Sequence, residues 1–189
     1  MNNTILTIPA YYNTSSAINQ VSLNESNWAF VDMQNFYRGI KQKGWRINWD
    51  LFRKYLSSIH NVTRAVLFMG YIKENEYLYK LLRKSGFIIE FRQVMILDDG
   101  TIDGGNVDAD LACYALDNKA HYSKAVIIAD DGDYCKTVQT LNKQQKLKLV
   151  ISSHSIKETS HLIKQAIGHK MIISVHDLKS AIEQKTNIK

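Results

Sequence analysis

Ala125-Val126-Ile127-Ile128-Ala129 is an unbroken apolar run that stops at Asp130-Asp131-Gly132-Asp133, and Trp28-Ala29-Phe30-Val31 stops in the same way at Asp32. Short apolar runs of this kind mark strands buried on both faces, as in a parallel sheet. Each delivers a carboxylate at its C-terminal end. Working outward, residues 64–71, 87–94 and 147–151 read as further strands, with 171–175 as a short last one. Helical spacing fills the gaps, predicting helices over 36–43, 49–58, 74–85, 107–118 and 134–144. Asn48 is placed to cap the second of these, and Tyr77, Leu78, Leu81 and Leu82 form one apolar face of the third, which Gly86 closes. Ser155 and Glu158 have capping-box spacing for a helix to about 166, and Asp177 is placed to cap a final one. Alternating strands and helices predict an α/β fold with a mainly parallel central sheet of five to six strands and helices on both faces. Ligands of such sheets bind beyond the carboxyl ends of the strands.

Charge is distributed unevenly along the 189 residues. Nine of the 18 acidic side chains fall between Asp98 and Asp133, among only two of the 24 basic ones. Like charges held close raise one another's pKa unless a cation offsets them, which points to a bound divalent ion. The chain as a whole carries +6, and residues 143–189 hold nine lysines against three acids. That excess suits a polyanionic partner. Arg38, Lys41 and Lys43, on the helix after Asp32, and Lys136, just after Asp133, are the better candidates for substrate contact, with Asn106 beside the following helix start. Tyr37 and Tyr134 either stack on bases or belong to the core.

Length and 45% hydrophobic content suit a single compact domain. Residues 1–26, with Glu25 as their only charged side chain, read as a polar extension containing a short strand at 5–8. Residues 27–180 form the domain, and 181–189 a basic tail. The N-terminus lacks a basic n-region, and no run of 18 apolar residues occurs, so a soluble, cytoplasmic protein with no membrane contact is expected. Cys113 and Cys135 have no C-x-x-C spacing and are expected as buried free thiols. The histidine spacings do not match a helical zinc motif, and no G-x-G-x-x-G or Walker A sequence is present.

If the strands ending at Asp32 and Asp131 are neighbours, their ends lie about 5 Å apart and both carboxylates can share one ion. Asp108, in the first turn of the next helix, can aim toward them or simply complement the helix dipole. Asp110, two residues on, points elsewhere and is a secondary candidate. Asp133 is a ligand or the N-cap of the helix after it, and Asn35 contributes its amide to the site or caps the helix after Asp32. Asp130 reads as a solvated loop carboxylate, and Asp98, Asp99 and Asp103 as turn residues. An all-oxygen ligand set calls for a hard ion, Mg²⁺ or Mn²⁺, able to activate water and stabilise charge on a phosphodiester.

Three stretches resemble a known family. Asp32-Met33-Gln34-Asn35-Phe36-Tyr37 resembles the opening Asp-x-x-Asn-Phe/Leu-Tyr motif of NYN domains, the PIN-like ribonuclease family that includes the LabA-like branch. Gly105-Asn106-Val107-Asp108-Ala109-Asp110 is similar to its second motif, Lys-Gly-Asn-Val-Asp followed by a residue and then Glu or Asp, and Ala129-Asp130-Asp131-Gly132-Asp133-Tyr134 to its third, Ser-Gly-Asp-Gly-Asp-Phe. The resemblance implies a three-layer α/β/α sandwich and metal-dependent RNA cleavage. It also implies an acidic centre of Asp32, Asp108, Asp131 and Asp133, with Asn35 assisting. The chain departs from the motifs where Gly104 replaces the lysine and where Ala129 and Asp130 replace the serine and glycine. The alternative expectation is a non-catalytic RNA- or protein-binding module, assembling as a homodimer or with a protein partner through the N-terminal extension.

Overall fold

The computed structural model describes residues 4–5, 26–99 and 102–185. In chain order the elements are β1 (Thr4–Ile5), β2 (Asn27–Asp32), α1 (Met33–Gln42), α2 (Trp49–His60), β3 (Val62–Gly70), α3 (Glu76–Lys84), β4 (Ile88–Arg92), β5 (Met95–Ile96), β6 (Ile102–Asp103), α4 (Asp108–Asp117), β7 (Ala125–Ile128), α5 (Cys135–Lys143), β8 (Leu147–Ser152), α6 (His161–Ile167), β9 (Ile172–Ser174) and α7 (Lys179–Ile182). Six strands form one all-parallel sheet in the order β4-β3-β2-β7-β8-β9. The chain winds from β2 outward to β4, then returns to β7 and winds outward the other way to β9. The strand order therefore reverses between β2 and β7, where a crevice opens beyond the strand ends.

The strand periodicity of two splits the core into two layers. Ala29, Val31, Ala65, Leu67, Val126, Ile128 and Ile151 face one side, where Phe36, Ile40, Phe52, Leu56, Tyr79 and Leu82 from α1, α2 and α3 cover them. Phe30, Val66, Phe68, Ile127 and Val150 face the other, under Leu111, Ala115, Val138, Leu141 and Ile163 from α4, α5 and α6. The result is the three-layer sandwich. All six residues of β2 are buried, as its central place demands. A separate antiparallel ribbon joins β1, β5 and β6. Of the strand expected at 5–8, residues 6–8 lie outside the described residues.

Several local expectations shift. Helix α1 begins at Met33, three residues early, because Asp32 itself is the cap: its Oδ1 accepts the Asn35 N–H at 2.9 Å. Asn35 is thus the capped residue. In α3 the buried side chains are Tyr79 and Leu82, while Tyr77 stays 81% exposed. The Tyr79 hydroxyl bonds the Ile72 backbone at both N–H (2.8 Å) and C=O (3.0 Å), which turns that face inward. The Ser155–Glu158 box forms, with Ser155 Oγ donating to Glu158 at 2.7 Å, but it closes an isolated turn, and α6 starts only at His161. Ser174, accepting from His176 N–H, caps the final turns in place of Asp177. Both cysteines are free, yet neither is buried: Cys135 is half-buried, and Cys113 is exposed because Leu111 and Ala115 take the inner face of α4.

Candidate active site

Asp32 sits where β2 ends and α1 begins, in the middle of the sheet and 5% exposed. One oxygen caps α1, and the other, Oδ2, accepts the Tyr134 hydroxyl at 3.0 Å. Burial pushes its carboxyl above the ordinary range, and the neighbouring Asp108 carboxylate pushes the same way. The Asn35 N–H and the Tyr134 hydroxyl, both donors to the charged form, pull against that. Burial and the Asp32 and Asp108 carboxylates also push Tyr134 upward, so its hydroxyl keeps its proton and remains a donor.

The second carboxylate arrives on α4. Gly104 turns the chain with φ +80°, and Asn106 Oδ1 accepts the Asp108 N–H at 2.8 Å, starting the helix at Asp108. The third comes from the end of β7, paired beside β2 with Val31 opposite Ile128. There Asp131 Oδ1 accepts the Asp133 N–H at 3.2 Å and opens the 3-10 turn Gly132–Tyr134.

A cleft of about 440 Å³ brings these parts together. Asp32, Asp108 and Asp131 line it with Asn35, Arg38 and Asn106, six of the residues expected from the sequence. Gln34, Asp103 and the Gly104-Gly105 backbone complete the wall. Asp103 also makes the expected turn bond, to the Gly104 N–H at 2.8 Å. Asn35 Oδ1 is buried without a hydrogen-bond partner.

Other expected residues lie elsewhere. Asp133 is exposed on the 3-10 turn and outside the cleft wall; the cap of that turn is Asp131. Lys41 and Lys136 are exposed and do not line the cleft, Lys41 standing one helical turn beyond Arg38. Asp110 diverges from Asp108 as helical geometry requires, pairing with Arg92 at 2.8 Å beside a second groove of about 350 Å³ between α4 and β4. Tyr37 is 46% exposed and Tyr134 fully buried, so only Tyr37 has a ring face open to a base.

Asp130 corrects the expectation of a solvated carboxylate. It is 6% exposed, and its Oδ2 accepts from Ser152 Oγ (2.9 Å), Ser153 Oγ (2.8 Å) and the His154 N–H (3.1 Å), with His154 Nδ1 at 2.6 Å. Its partners come from the end of β8, which no local pattern around residue 130 foretells. The Tyr134 hydroxyl was also beyond sequence reasoning: the residue reads as core, and only the fold carries its oxygen to Asp32.

Oxygen donors alone line the acidic part of the cleft, which suits a hard cation. Among the described residues no three His, Cys, Asp or Glu side chains stand close enough to enclose an ion by themselves. Mg²⁺ is ordinarily held by one or two carboxylates, with waters and substrate phosphate in the remaining places, so the set fits an ion that substrate helps to hold. Asp32, Asp108 and Asp131 are the carboxylates from which such an ion could draw one or two ligands. Among the described residues no helix is long and apolar enough to cross a membrane.

A solved structure of a Vibrio parahaemolyticus protein of unknown function superposes with a TM-score of 0.67, covering 88% of this chain and 100% of that one. At 17% identity that likeness concerns the fold. None of the curated proteins compared with the chain matches it. The NYN domain, part of the PIN-like nuclease superfamily whose members generally use divalent metals, matches residues 28–173. Reaching into all six strands of the parallel sheet and covering all three motifs, that match makes this chain a member of the NYN-domain family.

Proposed function

We propose that the protein is a ribonuclease that hydrolyses RNA phosphodiester bonds with the help of Mg²⁺ or Mn²⁺ in the Asp32/Asp108/Asp131 cleft. The observation that carries the proposal is the convergence of three carboxylates from β2, α4 and the β7 end on one cleft at the reversal of strand order. A bound divalent ion would supply charge neutralisation at the phosphate and a more acidic water. Asp32, held at both oxygens, offers a pre-oriented ligand and spends little freedom on binding. Arg38, on the same wall, offers a guanidinium to a phosphate oxygen. The Gly104-Gly105 backbone lets a substrate strand approach closely where a longer side chain would block it. Asp133 is assigned to the turn that positions Asp131, outside the ligand set.

A second reading, an RNA- or protein-binding module without cleavage, is favoured by one observation: no three acidic, His or Cys side chains among the described residues close around an ion. Labelled single-stranded and structured RNAs incubated with Mn²⁺, with EDTA, and with Asp131→Asn protein separate the two. Metal-dependent cleavage that Asp131→Asn abolishes supports the nuclease. Intact RNA that is retained in a gel shift supports the binding module.

A further inference from the structure

Two of the cleft carboxylates, Asp131 and Asp32, are tied to one short turn. The 3-10 turn Gly132–Tyr134 opens at Asp131, whose side chain accepts the Asp133 N–H and whose carbonyl accepts the Tyr134 N–H at 3.3 Å. At the other end of this turn the Tyr134 ring is wholly buried in the core layer that includes Leu111 of α4 and Phe30 of β2. From there its hydroxyl donates to Asp32 Oδ2 at 3.0 Å and lies within electrostatic reach of Asp108.

Each oxygen of Asp32 accepts a hydrogen bond: Asn35 N–H to Oδ1 and Tyr134 O–H to Oδ2. A bond at each end of a carboxylate fixes its plane. An ionised carboxylate accepts about four bonds, so each oxygen keeps a lone pair for another partner. The hydroxyl proton donated to Asp32 also offsets part of the repulsion between Asp32 and Asp108 while no cation is bound. The hydroxyl comes from the segment after the neighbouring strand β7, 102 residues away in sequence.

We propose that Tyr134 is a positioning residue: its hydroxyl holds Asp32 beside Asp108, in register with Asp131 on its own turn, as the preformed half of a divalent-cation site. The proposal rests on the metal-dependent reading above and deepens it. Outer-shell hydrogen bonds of this kind are worth about 10- to 100-fold in metal affinity.

The test is Mn²⁺ binding, followed by the electron paramagnetic resonance of free Mn²⁺, with wild type, Tyr134→Phe and Asp131→Asn, beside melting curves in EDTA. Tyr134→Phe is expected to bind Mn²⁺ about 10-fold more weakly while melting within about 5 °C of wild type. A variant that melts lower but binds Mn²⁺ like wild type makes Tyr134 merely structural and overturns the proposal, leaving the metal reading standing. A wild-type protein that binds no Mn²⁺ even with a non-cleavable 2′-O-methyl RNA strand present overturns both. Should Tyr134→Phe fail to fold, 3-fluorotyrosine placed at position 134 of the otherwise wild-type chain reports directly. Its ¹⁹F resonance is expected to move on Mg²⁺ addition, and an unmoved resonance overturns the proposal.

Discussion

Asp130 Oδ2 stands 2.6 Å from His154 Nδ1, while the next residue, Asp131, is exposed on the wall of the cleft. Adjacent residues at an extended strand end point to opposite sides, so one aspartate anchors β8 and the other faces the cleft. Removing the Asp130 side chain leaves Ser152, Ser153 and the His154 N–H without their shared acceptor. Asp130→Ala is therefore expected to destabilise the fold by about 3 kcal/mol. Asp131→Asn keeps an oxygen for the Asp133 N–H and relieves repulsion, so its metal-free stability should equal or exceed wild type. Urea unfolding of both variants in EDTA checks the contrast, and equal losses would contradict it.

Asp108 and Asp110 provide a second contrast. The Arg92–Asp110 pair is more than 40% exposed on both sides, and pairs of that kind contribute under about 1 kcal/mol. Asp110→Asn should leave stability and RNA cleavage within about twofold of wild type. Asp108→Asn should lower cleavage at least about 100-fold with the fold intact. Single-turnover rates on one labelled RNA would measure both.

Gly39 lies inside α1, where alanine ordinarily gains about 1 kcal/mol. Here an added Cβ would come 2.6 Å from Ser153 Cβ and closer still to Ser153 Oγ, whose bond to Asp130 limits its retreat. Gly39→Ala is expected to destabilise by about 1–3 kcal/mol instead. Pairing it with Ser153→Gly should cost less than the sum of the two single changes, which a double-mutant thermal series would show.

His60 is buried at the end of α2, with Nε2 3.0 Å from the Tyr55 hydroxyl. Burial lowers its pKa first, and Lys148 lowers it further; His176 is lowered by burial and by Lys43. The unfolded chain then takes up protons before the folded one. Stability is full above about pH 6.5 and is lost as pH falls through the lower folded-state pKa. Melting temperature should drop as pH is lowered from 7.5 toward 5, and His60→Gln should flatten that drop by a few degrees.

Much of the site was legible because its parts are local. An apolar run that ends in a carboxylate is a strand delivering that carboxylate to the sheet's edge, which marked Asp32 and Asp131 as strand-end residues; that their strands are neighbours came from the pairing of β2 with β7. The divergence of Asp108 from Asp110 followed from the helical period. Asp130 was misread because burial there depends on Ser152, Ser153 and His154, over 20 residues away. Asp133 and Asn35 were ambiguous for a related reason: one aspartate or asparagine suits a cap as well as a ligand, and the observed bonds, Asn35 N–H to Asp32 and Asp133 N–H to Asp131, make Asp32 and Asp131 the caps.

By itself the sequence determined the alternating α/β architecture, two strands that each end in a carboxylate, and the acidic character of the cleft. These follow from period, run length and charge, which local chemistry dictates. Tertiary structure decided which carboxylates share the cleft, that Asp130 is an anchor, and that the Tyr134 hydroxyl reaches Asp32. Those outcomes depend on how β7, β8 and α4 pack against β2, and hydrogen bonds spanning 20 to 100 residues leave no periodic trace in the chain.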